Sequence, residues 1–224
     1  MPEVDESRCD GCGECSRFCA YHAIVSTGVK ALVFPEMCHG CGGCLRVCPR
    51  GAIREVPRRI GAVETRQAGD IALVTGRLDV GSVLAPPLIR AVKRRLDPAL
   101  PAVIDAPPGT TCPVITAVRG ADFILLVTEP TPFGLNDLQL AVETVRELAV
   151  PFAVAVNRAG SGDGRVHRYC RDAGIPIRLE IPDDRRIAEA YSLGRLVVDE
   201  LPEYRELFAA LARGFLEPAG GQGA

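Results

Sequence analysis

Short apolar runs alternate with amphipathic stretches over most of the chain. Runs near residues 71–75, 102–105, 123–128, 151–156 and 175–180 predict strands. Stretches near 86–96, 113–118, 135–148, 164–173, 184–192 and 202–215 predict helices. Such alternation predicts a mostly parallel sheet covered by helices. The first 56 residues follow another pattern: Ala31-Leu32-Val33-Phe34 predicts one short strand, and cysteine- and glycine-rich loops fill most of the remainder. The longest apolar runs, such as Phe123 to Val127, fall far short of the roughly 18 residues that span a bilayer, so no membrane span is expected.

Within the N-terminal segment the pattern repeats. CDGCGECSRFCAYHAI at 9–24 returns as CHGCGGCLRVCPRGAI at 38–53, offset by 29 residues throughout. Each copy predicts a cysteine-rich loop, a short helical turn and the start of an apolar strand, and each contains the spacing C-x2-C-x2-C-x3-C. Three closely spaced cysteines on one loop reach three iron corners of a cubane, and a fourth ligand must come from elsewhere. In two-cluster ferredoxins the last cysteine of each run serves the other cluster. The expected ligand sets are therefore Cys9, Cys12, Cys15 and Cys48 for one [4Fe–4S] cluster, and Cys38, Cys41, Cys44 and Cys19 for the second. Gly11, Gly13, Gly40, Gly42 and Gly43 permit left-handed backbone, which lets N–H groups face the sulfides. Pro49 follows Cys48 as in that motif, whereas Ala20 replaces the proline after Cys19. The competing reading is zinc held by four cysteines, which usually come in separated pairs. With eight thiolates at hand, His22 and His39 are expected to be exposed loop residues.

Length and charge narrow the classes. The 224 residues suffice for one small module and one medium α/β domain. A net charge of −2 and a pI near 6.0 give no nucleic-acid footprint. Ten cysteines suggest disulfides only in a secreted chain. The acidic start Met1-Pro2-Glu3-Val4-Asp5-Glu6 has no apolar signal region, so a reducing, cytoplasmic location and a metal role are expected. Cys112 and Cys170 are expected as small packed residues, and His167 as solvated. Arg17, Arg46 and Arg50 either offset cluster charge or greet an acidic redox partner.

In the α/β part, Asp105 ends a predicted strand, where nucleotide-binding folds place a magnesium-shell carboxylate; the plainer reading is a polar loop residue. Gly109 beyond it can offer an N–H to a phosphate. Several stretches carry a wider resemblance: DAPPGTTCPVITAVR at 105–119, VTEPTPFGLNDLQL at 127–140, NR at 157–158, YC at 169–170, IPDDRRIAEAYS at 181–192 and LPEYREL at 201–207. From about Glu3 to Leu211 the chain resembles the MinD-superfamily P-loop ATPases that carry an inserted ferredoxin domain. The resemblance implies a Walker-B-like role for Asp105 and a γ-phosphate-facing role for Gly109. It also implies adenine reading by Asn157, with Pro182 and Asp183 in the loop beside the base.

One part of that family's pattern is missing. No G-x-x-x-x-G-K-[ST] occurs, and the two lysines, Lys30 and Lys93, lack the flanking Gly and Ser/Thr. ATP and magnesium are therefore expected only if a P-loop segment is supplied. Three readings of the missing strand are open: an in-frame upstream segment, a separate chain such as an N-terminal half-chain, or a short form whose sheet has closed up; a homodimer is the other partner left open. The fold class is thus α/β. Residues 1–58 form a two-cluster bacterial ferredoxin-like module, and 59–216 a mostly parallel P-loop NTPase (MinD-like) sheet without its first strand. Residues 217–224 form a flexible tail. The expected function is electron transfer with a redox protein partner. The alternative is an iron–sulfur cluster scaffold, carrier or docking module; whether the chain is an enzyme stays open.

Overall fold

The 29-residue sequence repeat is also a structural repeat, and it begins earlier than the cysteines. In the computed structural model, which describes residues 1–216, the first copy is β1 (Pro2–Val4), α1 (Glu14–Phe18) and β2 (Ile24–Ser26). The second is β3 (Ala31–Val33), α2 (Gly43–Val47) and β4 (Ile53–Glu55), after a 3-10 turn at Pro35–Met37. The copies interlock: β2 pairs antiparallel with β3, Ile24 opposite Val33, and β1 pairs antiparallel with β4, Pro2 opposite Glu55. Gly13 and Gly42 cap the two helices at φ 81° and 72°, a conformation that a Cβ penalises. Both helices stop after five residues at a cysteine in extended conformation, Cys19 at φ −77° and Cys48 at φ −76°. Equivalent turns thus present the last sulfur of each run. Gly43 departs from expectation: it lies inside α2, because helical continuation after Gly42 needs no positive φ there.

The chain falls into two compact units that part after Asp97. The domain boundary expected at 58/59 lies inside the first unit, which also contains a long antiparallel hairpin of β5 (Gly61–Ala68) and β6 (Ile71–Leu78) and the helix α3 (Ala85–Lys93). Thus the strand predicted at 71–75 exists, but not in the parallel sheet. Its partner was missed because GAVETRQA carries an unbroken polar run, Glu64-Thr65-Arg66-Gln67, through its second half. At Gly76 a Cβ would stand 2.7 Å from Val92 Cγ2, so the missing side chain lets α3 settle on the hairpin.

The second unit holds α4 (Cys112–Val118), β7 (Ile124–Thr128), α5 (Pro132–Glu147), β8 (Phe152–Ala159), α6 (Arg165–Asp172), β9 (Ile177–Pro182), α7 (Arg185–Ser192), α8 (Val197–Glu200) and α9 (Pro202–Leu216). The sheet is parallel, in the order β7-β8-β9. Central β8 reads as a continuous apolar run because both its faces are covered: Ala153, Val154, Ala155 and Val156 are buried. Leu138 and Val142 of α5 join Val166 and Cys170 of α6 in one core with Val154, Val156 and Ile175. Thr131 caps α5 by accepting from Gly134 N at 3.0 Å, with Pro132 opening the helix.

The strand predicted at 102–105 does not form. Val103 is fully exposed, and among the described residues no strand pairs with this segment or with the other edge of β7. An apolar run becomes a strand only when a neighbour takes up its N–H and C=O groups. The expected tail at 217–224 lies outside the described residues. Among those described, no helix is long and apolar enough to cross a membrane.

Asp184 caps α7 and ties it to α9. Its carboxylate accepts from Arg186 N at 2.9 Å and Tyr204 OH at 3.0 Å, and Arg186 also reaches Glu203 at 2.9 Å. Hydrogen bonds from the Arg186 side chain and backbone hold the Asp184 carboxyl down at about 2. A folded value below the ordinary one means a contribution present above the ordinary carboxylate value and lost as pH falls through about 2. Asp184→Ala is expected to lower the melting midpoint at neutral pH by about 2–4 °C. The gap from the parent chain should close on acidification in a calorimetric pH series, and a gap constant with pH would contradict this.

Candidate metal centre

The cysteines of the N-terminal module are sorted by the fold into two groups. Cys9, Cys12, Cys15 and Cys48 line one cavity of 20 Å³, together with Gly11, Gly13 and Ser26. Cys19, Cys38, Cys41 and Cys44 line another of 210 Å³, with Phe18, Tyr21 and Leu45. Each cavity therefore has three sulfurs from one copy and one from the other. The two lie against one core: Cys9, Cys15 and Cys48 from the first and Cys19 and Cys44 from the second pack around Ile24, Ala31 and Ile53.

Donor chemistry separates the two metal readings. Tetrahedral zinc at 2.3 Å from each sulfur would draw four thiolates to about 3.8 Å of one another. Among the described residues, no three His, Cys, Asp or Glu side chains converge tightly enough for a single metal ion. A cubane instead spreads its four thiolates over four iron corners, so it calls for four sulfurs around one space and not for their convergence on a point. Backbone donors already face sulfur: Gly40 N reaches Cys38 Sγ at 3.4 Å, and Ala52 N reaches Cys48 Sγ at 3.3 Å. Hydrogen bonds to ligand sulfur tune cluster potential.

Burial pushes the free Cys15 and Cys44 thiols up, and their neighbours add to it, Cys48 and Cys9 for the former, Cys38 and Cys41 for the latter. Ligation requires thiolates, so loading releases these protons and becomes easier as pH rises.

Two loop contacts fix the first cavity. Ser26 Oγ donates to the Gly11 carbonyl at 2.8 Å and accepts from Gly28 N at 3.1 Å. Gly11 itself sits at φ 68°, and a Cβ there would lie 2.5 Å from the Gly28 backbone. Gly40, its counterpart, has φ 65° and open space. Gly11→Ala should therefore disturb the first site far more than Gly40→Ala disturbs the second. Iron content of the two purified variants checks this, and equal losses would argue against it.

Both loop histidines are exposed as expected. His22 adopts φ 51°, and His39 stacks on Tyr21 with ring centroids 3.7 Å apart. Arg17 pairs with Glu14, and Arg50 with Asp10 at 2.7 Å. Cys170 is buried as expected. Cys112 is exposed at the start of α4, not packed, and His167 meets Glu180 at 3.3 Å.

The residues implied for a nucleotide are placed unevenly. Asn157, Pro182 and Asp183 gather where β8 and β9 end: Ala159 is opposite Pro182, and Asp183 N donates to the Ala159 carbonyl at 3.1 Å. Arg158, at φ 53°, holds the Asp183 carboxylate at 3.1 Å and approaches Glu129 at 3.7 Å. Sequence reasoning passed over Arg158 as a hub, although its place beside Asn157 at a strand end was a usable signal. Asp105 and Gly109 lie in the exposed segment before α4, and none of the described hydrogen bonds or ion pairs joins them to this corner.

Comparison with known proteins agrees with the first unit's chemistry. Residues 1–49 match the 4Fe-4S dicluster domain. The protein is therefore a mixed α/β chain whose N-terminal module binds iron–sulfur clusters, followed by a unit with a three-stranded parallel sheet. Two uncharacterized proteins of Methanocaldococcus jannaschii are similar to it. One is 36% identical over 48% of this chain and 37% of its own length, and the other 31% identical over 78% of this chain and 62% of its own length. An iron-sulfur cluster carrier protein of Pyrococcus horikoshii is 27% identical over 43% of this chain and 38% of its own. The chain thus spans less than two thirds of each of these relatives.

Proposed function

We propose that this chain carries electrons through two [4Fe–4S] clusters, one on Cys9, Cys12, Cys15 and Cys48, the other on Cys38, Cys41, Cys44 and Cys19. The observation that carries the reading is the sorting of eight cysteines, four and four, around two cavities that share one small core. Fixed complete ligation favours retained clusters over released ones, and a shared core keeps the two centres near enough for electrons to pass between them. The proposed redox partner is a protein and the proposed location the cytoplasm, a reducing compartment that suits cysteines held as metal-binding thiolates. Anaerobically purified protein should be brown, with about eight irons per chain, and should bleach on reduction and recover on reoxidation. Colourless protein containing zinc would overturn the reading.

The second unit is proposed to have the MinD-like P-loop architecture without its phosphate-binding segment. The corner of Asn157, Pro182 and Asp183 supports this, since α/β sheets bind ligands beyond the carboxyl ends of their strands. Asp105 and Gly109 would join it only if a neighbouring strand carrying G-x-x-x-x-G-K-[ST] drew residues 102–105 into the sheet. Such a strand would come from an in-frame upstream segment or from an N-terminal half-chain, and ATP and magnesium bind only with it. ATP turnover by this chain alone would refute the proposal.

A cluster carrier is the second reading, favoured by the similarity to the Pyrococcus horikoshii protein of that name. Incubation with an apo acceptor protein separates the two: rapid transfer without reductant supports the carrier, and retained, redox-cycling clusters support the electron relay.

A further inference from the structure

The internal repeat relates not only the cysteines but also the residues that close their loops. In the first cavity, Asp10 follows Cys9 directly, and Arg50 stands two residues after Cys48. Their side chains meet at 2.7 Å, and both line the cavity. A shift of 29 residues carries Asp10 onto His39 and Arg50 onto Tyr21. His39 follows Cys38 directly, and Tyr21 stands two residues after Cys19. These rings stack at 3.7 Å with 12° between their planes, and both line the second cavity. Each cavity thus has one contact in the same place, joining the loop of its first cysteine to the loop behind the cysteine borrowed from the other copy. One contact is ionic and the other aromatic.

We propose that these pairs are two latches, Asp10–Arg50 and Tyr21–His39, each holding the borrowed cysteine onto one cluster and giving the two clusters different sensitivity to salt. The inference rests on the two-cluster reading above. Cys19 and Cys48 are the ligands most in need of such a device. Each lies at a helix end and reaches across to a cavity otherwise built by the other copy, so the two halves can separate there first. A contact bridging the same two loops opposes that separation. All four latch residues are positioning residues: the sulfurs bind iron, and the latches keep the loops closed.

The two latches differ in physics. The Asp10–Arg50 pair is exposed, with 39% and 62% of the side chains open to solvent, so dissolved ions screen it. Asp10 also accepts from Cys12 N at 3.2 Å, which ties the same latch to a second ligand of the first cluster. The Tyr21–His39 stack depends on ring contact and area and is nearly indifferent to salt. Equivalent positions in one repeat therefore produce two sites that respond differently to ionic strength.

The test is iron release from the full-length, cluster-loaded protein to an iron chelator, followed anaerobically by absorbance. For the parent chain, loss in two phases is expected, with salt accelerating only one of them. Arg50→Ala should speed that phase about two- to fivefold at low salt and abolish its salt dependence. Tyr21→Ala should speed the other phase about two- to tenfold at any salt, while Tyr21→Phe, which keeps the ring, should behave as the parent. Phases that both respond to salt, or variants that speed both phases or neither, would overturn the latches. Salt dependence in the unmutated protein needs no variant, so misfolding of a variant leaves the proposal testable. A parent chain devoid of iron and sulfide would instead overturn the two-cluster reading itself. A chain with about eight irons and unaltered variants would overturn the latches alone.

Discussion

Cys9→Ala/Cys48→Ala is expected to retain about four irons per chain, whereas Cys38→Ala/Cys48→Ala retains almost none. Sequence distance suggests the reverse, since Cys38 and Cys48 belong to one run and Cys9 is far from both. The outcome turns on which sulfurs surround one cavity. Cys48 lines the cavity of Cys9, Cys12 and Cys15, and Cys38 lines the other with Cys19. Removing Cys9 and Cys48 damages one site twice and leaves the second with all four thiolates. Removing Cys38 and Cys48 damages both sites once. The mirror pair makes the same contrast: Cys19→Ala/Cys38→Ala should keep one cluster, and Cys19→Ala/Cys9→Ala neither. Iron and sulfide analysis, with electron paramagnetic resonance of the reduced protein, reads the result. A retained cluster in Cys38→Ala/Cys48→Ala together with an empty Cys9→Ala/Cys48→Ala would show that each run serves its own cluster.

How much of this was legible in the sequence follows the range of the interactions. The two sets of cysteines that line the cavities are those expected from the spacing of two-cluster ferredoxins, in which the last cysteine of each run serves the other cluster, and the repeat supplied the second run. The helices of the second unit were nearly all legible, because one apolar stripe such as Leu138, Val142 and Val145 identifies α5 without knowledge of its neighbours. Strand partners were not. Ala102-Val103-Ile104 is as apolar as many strands, yet pairing depends on a neighbour, and none among the described residues provides it. Conversely, Gly61–Ala68 looks polar and still forms eight rungs with Ile71–Leu78, because a short turn at Gly69 places the two together. The latch residues were hidden for another reason. Asp10, Arg50, Tyr21 and His39 share no residue type, and only their equivalent positions in the repeat link them.

The uneven placement of the residues that the resemblance implies for a nucleotide has the same cause. Asn157 and Asp183 are held by strands that have their partners, β8 and β9. Asp105 depends on a strand that lacks one.

Stripping iron from the protein should unfold residues 1–56 while the parallel-sheet unit keeps its structure. The reason is the contrast between two cores. Around the cysteines the large, well-buried aliphatic side chains are Ile24 and Ile53, joined by Ala23, Ala31 and Ala52. Each isoleucine contributes about 1.5–3 kcal/mol on burial. Ordering each residue's backbone costs about 1–2 kcal/mol, so some other interaction must hold some fifty residues in place. The salt bridges of Arg17, Arg50 and Arg54 are exposed and add little. The eight metal–thiolate bonds proposed above, two of which would cross between the copies, are the strong links that remain. The second unit buries Leu138, Val142, Val154, Val156, Val166 and Ile175 in one cluster and has no such dependence. After anaerobic treatment with oxidant and chelator, limited proteolysis should cut first among residues 1–56 and leave a fragment containing 124–216. Circular dichroism should retain most of the helical signal, which comes from α5, α6, α7 and α9. An iron-free module that resists protease as well as the loaded one would show that the small core suffices and that the clusters serve electron transfer without supporting the fold.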